Sequence, residues 1–295
     1  MTEKKLDSAF QTKTAIRGLL DSGGFFPKKR YGQCFLIDRN LMNRLLESAE
    51  LGPKDCILEV GVGTGSLTGL LAERAGRVVA VEVDSDVASL AAEALAGFDN
   101  IWLVQSDALA GKSELSSALT EAVRTARGEL GGALKLVANL PYDIATPLVI
   151  NLLESDLRFD QMCFTVQTEV ADRFLAEPNT HDYGPVSILT QTLAVGRRVC
   201  KLPPQAFWPA PKVHSSMVRL DIRELSAVPV ADIRGFSAFI RGFFNHRRKT
   251  LGHTAKADGI ADRFLPALAA IGVDPTARPE TLTPAQWADL FRASG

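Results

Sequence analysis

Of 295 residues, only four are cysteine, four methionine, three tyrosine and three tryptophan. Cys34, Cys56, Cys163 and Cys200 are far apart, form no C-x-x-C pair and join no histidine cluster. That excludes a metal-binding cysteine pattern and a disulfide framework, and it suits reduced thiols in a cytoplasm. No apolar run reaches 18 residues, so no transmembrane helix is expected. The opening stretch, MTEKKLDSAFQTKTAIRG, has no apolar segment of the secretory kind. Long low-complexity tracts and internal repeats are also missing. Net charge is nearly missing too, at −1.

What is present is a globular composition, 46% apolar and 23% charged, which excludes disorder of the whole chain. The length suits one large domain or two unequal ones. The small net charge hides an asymmetry. Residues 1–30 carry a net +4, residues 31–194 a net −12, residues 195–222 a net +4 and residues 223–295 a net +3. Basic ends around an acidic middle allow a polyanion partner.

Hydrophobic patterning predicts short strands alternating with helices. Asp38 is an N-cap candidate for a helix over 38–51, stopped by Gly52-Pro53. Strands are expected at 56–60, 77–82, 101–105, 134–138 and 161–166, with helices at 66–75, 85–96 and around 145–154. The stretch 111–133 reads as helical or irregular. Further strands are expected near 188–200 and 213–222. This alternation predicts an α/β fold with a mostly parallel, doubly wound sheet. Past Val228-Pro229 the strand signal vanishes, and 231–292 reads as helical with breaks at Gly252, Pro275 and Pro284.

Three strand ends carry candidate chemistry. Gly61-Val62-Gly63-Thr64-Gly65 follows a strand and opens a helix, where glycines allow a tight turn and close approach to a ligand. Its spacing is G-x-G-x-G, one residue short of the dinucleotide pattern, and it resembles the first motif of class I S-adenosylmethionine methyltransferases. Glu82 ends the next strand, where a carboxylate can accept from ribose hydroxyls. Asp107 ends the third, where it can accept from a cofactor's adenine amine. In a parallel sheet these ends share one edge, the edge at which ligands bind.

Asn139-Leu140-Pro141-Tyr142 ends the fourth strand. The exocyclic amine of adenine is a poor nucleophile because its lone pair is delocalised into the ring. The Asn139 side-chain oxygen and the Leu140 carbonyl are two acceptors that could localise it. Pro141 stiffens the loop, and Tyr142 offers a face for base stacking. No strong base is required, and the work is positioning and polarisation.

Residues 30–220 resemble ribosomal RNA adenine N6-dimethyltransferases of the KsgA type, which act on small-subunit rRNA. The matching pieces begin with Arg30-Tyr31-Gly32-Gln33-Cys34-Phe35-Leu36, the glycine loop, Glu82, Asp107 and Asn139 through Pro147. They continue with Gln167-Thr168-Glu169-Val170, Tyr183-Gly184-Pro185 and Pro203 through Val213, and Phe243 through Leu251 resembles the family's helical domain. The resemblance implies a class I, Rossmann-like sheet with a smaller C-terminal helical domain. The expected organisation is a basic arm (1–27), a methyltransferase domain (28–224) and a helical RNA-binding domain (225–295).

It further implies that Gln33, Cys34, Phe35, Leu36, Gly61, Gly63, Gly65, Glu82, Asp107 and Asn139 bind S-adenosylmethionine. Asn139, Leu140, Pro141 and Tyr142 would hold the target adenine, with Phe207 closing over the base. Arg247, Arg248 and Lys249, read as lying on a helix, and Lys212 are candidate RNA contacts. The implied reaction is dimethylation of two adjacent adenosines in a hairpin loop near the 3′ end of 16S rRNA, during small-subunit biogenesis, by a cytoplasmic monomer bound to a pre-30S particle.

The chain departs from the family at Cys34, where asparagine is usual, and at Asp143-Ile144-Ala145, where Asn-Ile-Ser is common. Cys34 motivates one alternative, an assembly factor acting mainly by binding. A second alternative is a dimethylase aimed at 23S rRNA. His181, His214, His246 and His253 are dispersed, and none is read as a catalytic base. No metal is expected.

Overall fold

A computed structural model of the chain describes Thr14 and residues 33–294. Apart from Thr14, the expected basic arm lies outside the described residues, as does Arg30-Tyr31-Gly32.

The elements run β1 (Phe35–Leu36), α1 (Arg39–Ala49), β2 (Cys56–Val60), α2 (Ser66–Ala72), β3 (Arg77–Glu82), α3 (Ser85–Leu95) and β4 (Ile101–Gln105). They continue with β5 (Leu109–Gly111), β6 (Glu114–Leu115), α4 (Ser117–Gly128), β7 (Leu134–Asn139), α5 (Ala145–Glu154), β8 (Gln161–Gln167) and α6 (Thr168–Leu175). Then come α7 (Pro185–Leu193), β9 (Ala194–Leu202), β10 (Phe207–Trp208), β11 (Ser215–Ile222), α8 (Ile233–Phe244), α9 (Leu251–Ala257), α10 (Ala261–Ala270) and α11 (Pro284–Ser294). Among the described residues no helix is long and apolar enough to cross a membrane.

The chain divides into two compact units. The first comprises the residues up to Ala171 together with Arg197–Asp221; the second comprises Asp172–Gly196 and Ile222–Gly295.

The first unit is built on a seven-stranded sheet in the order β4-β3-β2-β7-β8-β11-β9. β4, β3, β2, β7 and β8 pair in parallel, and β11 pairs antiparallel to β8. Every residue of β2 is buried, as expected for a central strand of a sheet covered on both faces. The chain lays β3 and β4 on one side of β2 and then returns to lay β7 on the other. This reversal is a topological switch point, the place where open α/β sheets take their ligands. It sits between the carboxyl ends of β2 and β7.

Asp38 caps α1 as expected, its Oδ1 accepting from Asn40 N–H (2.9 Å) and Leu41 N–H (3.1 Å). The far end of α1 is held by Lys135 of β7. Its Nζ donates to the carbonyls of Ala49 (3.1 Å) and Glu50 (2.8 Å) and pairs with Asp55 (2.8 Å). Both side chains are close to nine-tenths buried. Removing one partner of such a pair strands the other charge. Lys135→Met is therefore expected to cost about 3 kcal/mol of stability, read from the urea midpoint; a loss below about 1 kcal/mol would show the network to be dispensable.

The second unit is helical. Its core gathers Phe236, Phe239, Phe243, Phe264, Trp287 and Phe291, with Phe243 stacked on Phe264 at 4.6 Å between ring centroids. Tyr183 donates its hydroxyl hydrogen to the Leu282 carbonyl (2.7 Å) from a fully buried position.

Several sequence expectations need correction. The strand expected near 188–200 is a helix over Pro185–Leu193 followed by a strand from Ala194. Pro185 opens that helix, the Gly184 N–H bonds to Ser187 Oγ (3.2 Å), and burial of Ile188, Leu189 and Leu193 overrides the strand preference of the β-branched run. The stretch 111–133, read as helical or irregular, does hold the helix Ser117–Gly128, but its start belongs to the β5–β6 hairpin. Gly252 does not break a helix. It lies inside α9, where a Cβ would come within 3.0 Å of Pro275, whose carbonyl accepts its N–H. Arg247, Arg248 and Lys249 lie in the turn after α8 ends at Phe244, not on a helix.

Candidate active site

A cavity of about 280 Å³ opens at the switch point of the first unit. Its lining combines the ends of β2, β3, β4 and β7 with the segment around β1. Parallel pairing brings these ends together, although they lie some eighty residues apart in sequence between Gly61 and Asn139.

The glycine loop allows the walls to close in. Gly61 and Gly63 have φ of +86° and +58°. A Cβ on Gly61 would lie 3.1 Å from Pro141 Cγ, and one on Gly63 would lie 2.8 Å from the Phe35 ring. Only glycine serves there, on both backbone and steric grounds. Gly65 has another task. It opens α2 and packs against Leu95, away from the cavity lining.

Glu82 reaches the cavity from the end of β3 and is mostly buried. Its two oxygens accept separately, Oε1 from the Asp84 N–H (3.0 Å) and Oε2 from the Gly63 N–H (3.3 Å). Burial raises the pKa of this carboxyl, against the pull of those two N–H groups. Each oxygen retains capacity for a further donor. Gln33 donates to Asp84 Oδ2 (3.4 Å), tying the β1 segment to the same strand end. Asp107 is exposed at the cavity rim, with Oδ1 accepting from the Leu109 N–H (3.0 Å). Val81, Val83, Ala108, Pro141 and Ile144 supply apolar wall.

On β2, opposite Ala80 of β3, Glu59 is 1% exposed, and among the described residues its Oε2 has no hydrogen-bond partner. Burial, the largest cause, pushes its carboxyl up to about 8, and neighbouring Glu82 pushes the same way. A carboxyl that holds its proton in the folded state but releases it near 4.5 when unfolded stabilises the fold fully at low pH. That contribution is lost as pH rises toward 8. Between pH 5 and 7 Glu59 should lower stability by about 1.4 kcal/mol per pH unit. In urea unfolding across that range, Glu59→Gln is expected to flatten the slope by that amount; an unchanged slope would mean Glu59 is ionised in the folded chain.

Asn139 is held at both ends. Its Nδ2 donates to the Cys34 carbonyl (2.8 Å), and its Oδ1 accepts from Thr165 Oγ1 (2.5 Å). The contact at position 34 is thus made by the main chain, which any residue supplies. Leu140 donates its N–H to the Thr165 carbonyl (3.3 Å). Tyr142 Oη hydrogen-bonds Ser215 Oγ at 2.6 Å. Burial pushes the Tyr142 phenol up to about 12, so it stays neutral and is no general base near pH 7. Asp143 adds an exposed carboxylate at the rim.

Expected site residues that line this cavity are Gln33, Cys34, Phe35, Gly61, Gly63, Glu82, Asp107 and Asn139 through Tyr142. Leu36 and Phe207 do not. β1 pairs antiparallel with β10, matching Phe35 with Trp208 and Leu36 with Phe207. Side chains alternate across a strand. Phe35 and Trp208 therefore stack on one face (6.5 Å between centroids, 16° between planes), while Leu36 and Phe207 enter the core beside Met42 and Leu202. At 2% exposure Phe207 is core and is not poised over the cavity. The resemblance implies Phe207 over the base; the pairing register instead turns it into the core.

Arg247 donates to the carbonyls of His181 (3.1 Å) and Thr180 (3.3 Å), within the second unit. Arg248, Lys249 and Lys212 are exposed. Thr165 and Ser215, which hold the Asn139–Tyr142 loop from behind, were missed in the sequence. The one available signal was a hydroxyl residue inside a strand that is otherwise largely apolar, QMCFTVQ.

Comparison with known proteins bears on this arrangement. Residues 24–294 match the model of the family described as ribosomal RNA adenine dimethylase. A relative from Moorella thermoacetica, named ribosomal RNA small subunit methyltransferase A, is 38% identical over 275 residues, covering 93% of this chain and 94% of that protein. Among solved structures, 23S rRNA methyltransferase ErmE aligns with a TM-score of 0.64 at 28% identity, covering 88% of this chain and 98% of that one. A dimethyladenosine transferase from Plasmodium falciparum aligns at 0.68, with 86% and 94% covered; at 22% identity it speaks to the fold alone. With a glycine loop, two strand-end carboxylates and an Asn-Leu-Pro-Tyr loop around one cavity, and with nearly the whole chain matched, this protein belongs to the ribosomal RNA adenine dimethylase family and is a methyltransferase acting on adenine in ribosomal RNA.

Proposed function

We propose that the chain dimethylates the N6 amines of two adjacent adenosines in a hairpin loop near the 3′ end of 16S rRNA, during small-subunit biogenesis in the cytoplasm, with S-adenosylmethionine as methyl donor. The observation that carries the reading is Asn139-Leu140-Pro141-Tyr142 at the end of β7, facing the cavity that Glu82 and Asp107 also line. The name and 38% identity of the Moorella thermoacetica relative favour the small subunit over the large one.

The residues present fit the donor. Glu82 has acceptor capacity left for two ribose hydroxyls, Asp107 stands at the rim for an adenine amine, and Val83, Ala108 and Ile144 offer a slot for a flat ring. Gly61 and Gly63 keep open the space a Cβ would fill. When bound, S-adenosylmethionine supplies an electrophilic methyl group on a sulfonium. The rest is done by the protein. Asn139 Oδ1 and the Leu140 carbonyl accept the two N6–H groups and aim the nitrogen lone pair out of the adenine ring. The attacking amine becomes a cation as it takes up the methyl group, and these two oxygens stabilise the charge as it develops. Its surplus proton is acidic and leaves to water. Tyr142 stacks on the flipped base, and an unpaired loop base is cheap to extrude. Arg248, Lys249 and Lys212 are the exposed cations assigned to phosphate contact; Arg247 serves the helical unit's own packing. The working species is a monomer on a pre-30S particle.

The test is transfer of labelled methyl from S-adenosylmethionine to 30S subunits lacking the dimethyladenosines, with 50S subunits alongside. Label in two adjacent adenosines near the 16S 3′ end is the expected result. Label in 23S rRNA would redirect the assignment to the large subunit. Particle binding without label would make the chain a binding factor.

A further inference from the structure

We propose that Thr165 is a positioning residue for methylation: it sets the Asn139 side-chain oxygen offered to the adenine amine and tethers the main chain just ahead of the other acceptor, the Leu140 carbonyl. The inference rests on the reading of the Asn139–Tyr142 loop given above.

Thr165 lies on β8 directly opposite Asn139 on β7 and is fully buried. It does not line the cavity, so it acts through its neighbours. One contact goes to an acceptor itself, and the other to the main chain one peptide before the second acceptor. The hydroxyl donates to Asn139 Oδ1, and the main-chain carbonyl accepts the Leu140 N–H. The second contact survives any substitution; the first depends on the hydroxyl.

The hydroxyl matters because a primary amide has two ends of nearly equal size and opposite polarity. The Cys34 carbonyl can only accept, so it takes the NH₂ end. That leaves Oδ1 on the other side, anchored among the described residues by Thr165 alone. A carbonyl oxygen has two lone pairs. Thr165 occupies one, and the other remains for an incoming N–H. Without the hydroxyl the amide is pinned at one end and can swing about its last torsion, which is broad for asparagine. Small misplacement of a group that orients a nucleophile carries a large rate cost.

Valine removes the hydroxyl while keeping volume and branching, and serine keeps the hydroxyl while losing a methyl. Thr165→Val is expected to lower kcat about tenfold, with the dissociation constant for S-adenosylhomocysteine within about threefold of the parent protein. Thr165→Ser should restore kcat to within about twofold, although its smaller side chain destabilises the core more. A purely structural role predicts the reverse order of damage. A second readout is independent of turnover: the Asn139 side-chain NH₂ protons, followed by NMR on the full chain, should exchange at least several-fold faster in Thr165→Val. Full activity in Thr165→Val, equal damage in both variants, or unchanged Asn139 exchange would overturn the proposal. Should the parent chain methylate no rRNA, the functional reading fails by itself, and the exchange measurement still decides for or against Thr165.

Discussion

Asn139→Ala is expected to lower the methylation rate by about 10²–10³, equivalent to about 3–4 kcal/mol of transition-state stabilisation. Alanine removes the Oδ1 acceptor and also the Nδ2 bond that joins the end of β7 to the Cys34 carbonyl. The first loss falls on the transition state, because the amine becomes cationic only as it attacks. The second loosens the segment around β1 that forms one wall of the cavity. The effect should therefore be large in kcat and smaller in donor affinity. Single-turnover transfer to 30S particles, read with the dissociation constant for S-adenosylhomocysteine, separates the two. Asn139→Asp is the informative companion. It keeps the shape and an acceptor toward Thr165, but it turns a carboxylate oxygen on the Cys34 carbonyl, which cannot donate. Retention of more than about a third of the parent rate by Asn139→Ala would sink the proposed mechanism.

Glu82→Ala is expected to weaken S-adenosylmethionine binding by about 100-fold or more, from the loss of two charge-assisted hydrogen bonds at the proposed ribose site. The carboxylate also organises its surroundings, because its two oxygens receive the N–H groups of Gly63 and Asp84. One of these belongs to the glycine loop and the other to the cap of α3. Glu82→Gln tests whether that organisation counts. Glutamine has one acceptor oxygen, so one of the two N–H groups would face an NH₂. If Glu82 only touched the ligand, glutamine would recover much of the affinity. If it also shapes the loop, glutamine should remain impaired at least about tenfold. Isothermal titration with S-adenosylmethionine gives both values, and a Glu82→Ala affinity within fivefold of the parent would remove Glu82 from the site.

Much of this site was legible along the chain because strand ends in a parallel sheet are local objects. A glycine loop after 56–60, an acid at the end of 77–82, an acid after 101–105 and Asn-Leu-Pro-Tyr after 134–138 can each be read in a window of a few residues. Parallel order then places them on one edge. The α7 segment was misread for the opposite reason. Its β-branched residues favour a strand, and only burial in the helical unit, with Pro185 and Ser187 at its start, makes it a helix.

The sequence by itself determined the class of fold, the edge on which the site lies and the chemistry of the loop, because periodicity, turn residues and side-chain type are written in short stretches. Tertiary structure alone decided which side chains enter the cavity and what holds them there. The pairing of β1 with β10 sends Phe207 inward and Trp208 onto Phe35. Register between β7 and β8 sets Thr165 against Asn139. A carbonyl at position 34 takes the asparagine's NH₂ from 105 residues away. A shift of one residue in a strand reverses every side chain, and no local pattern records the partner strand's register.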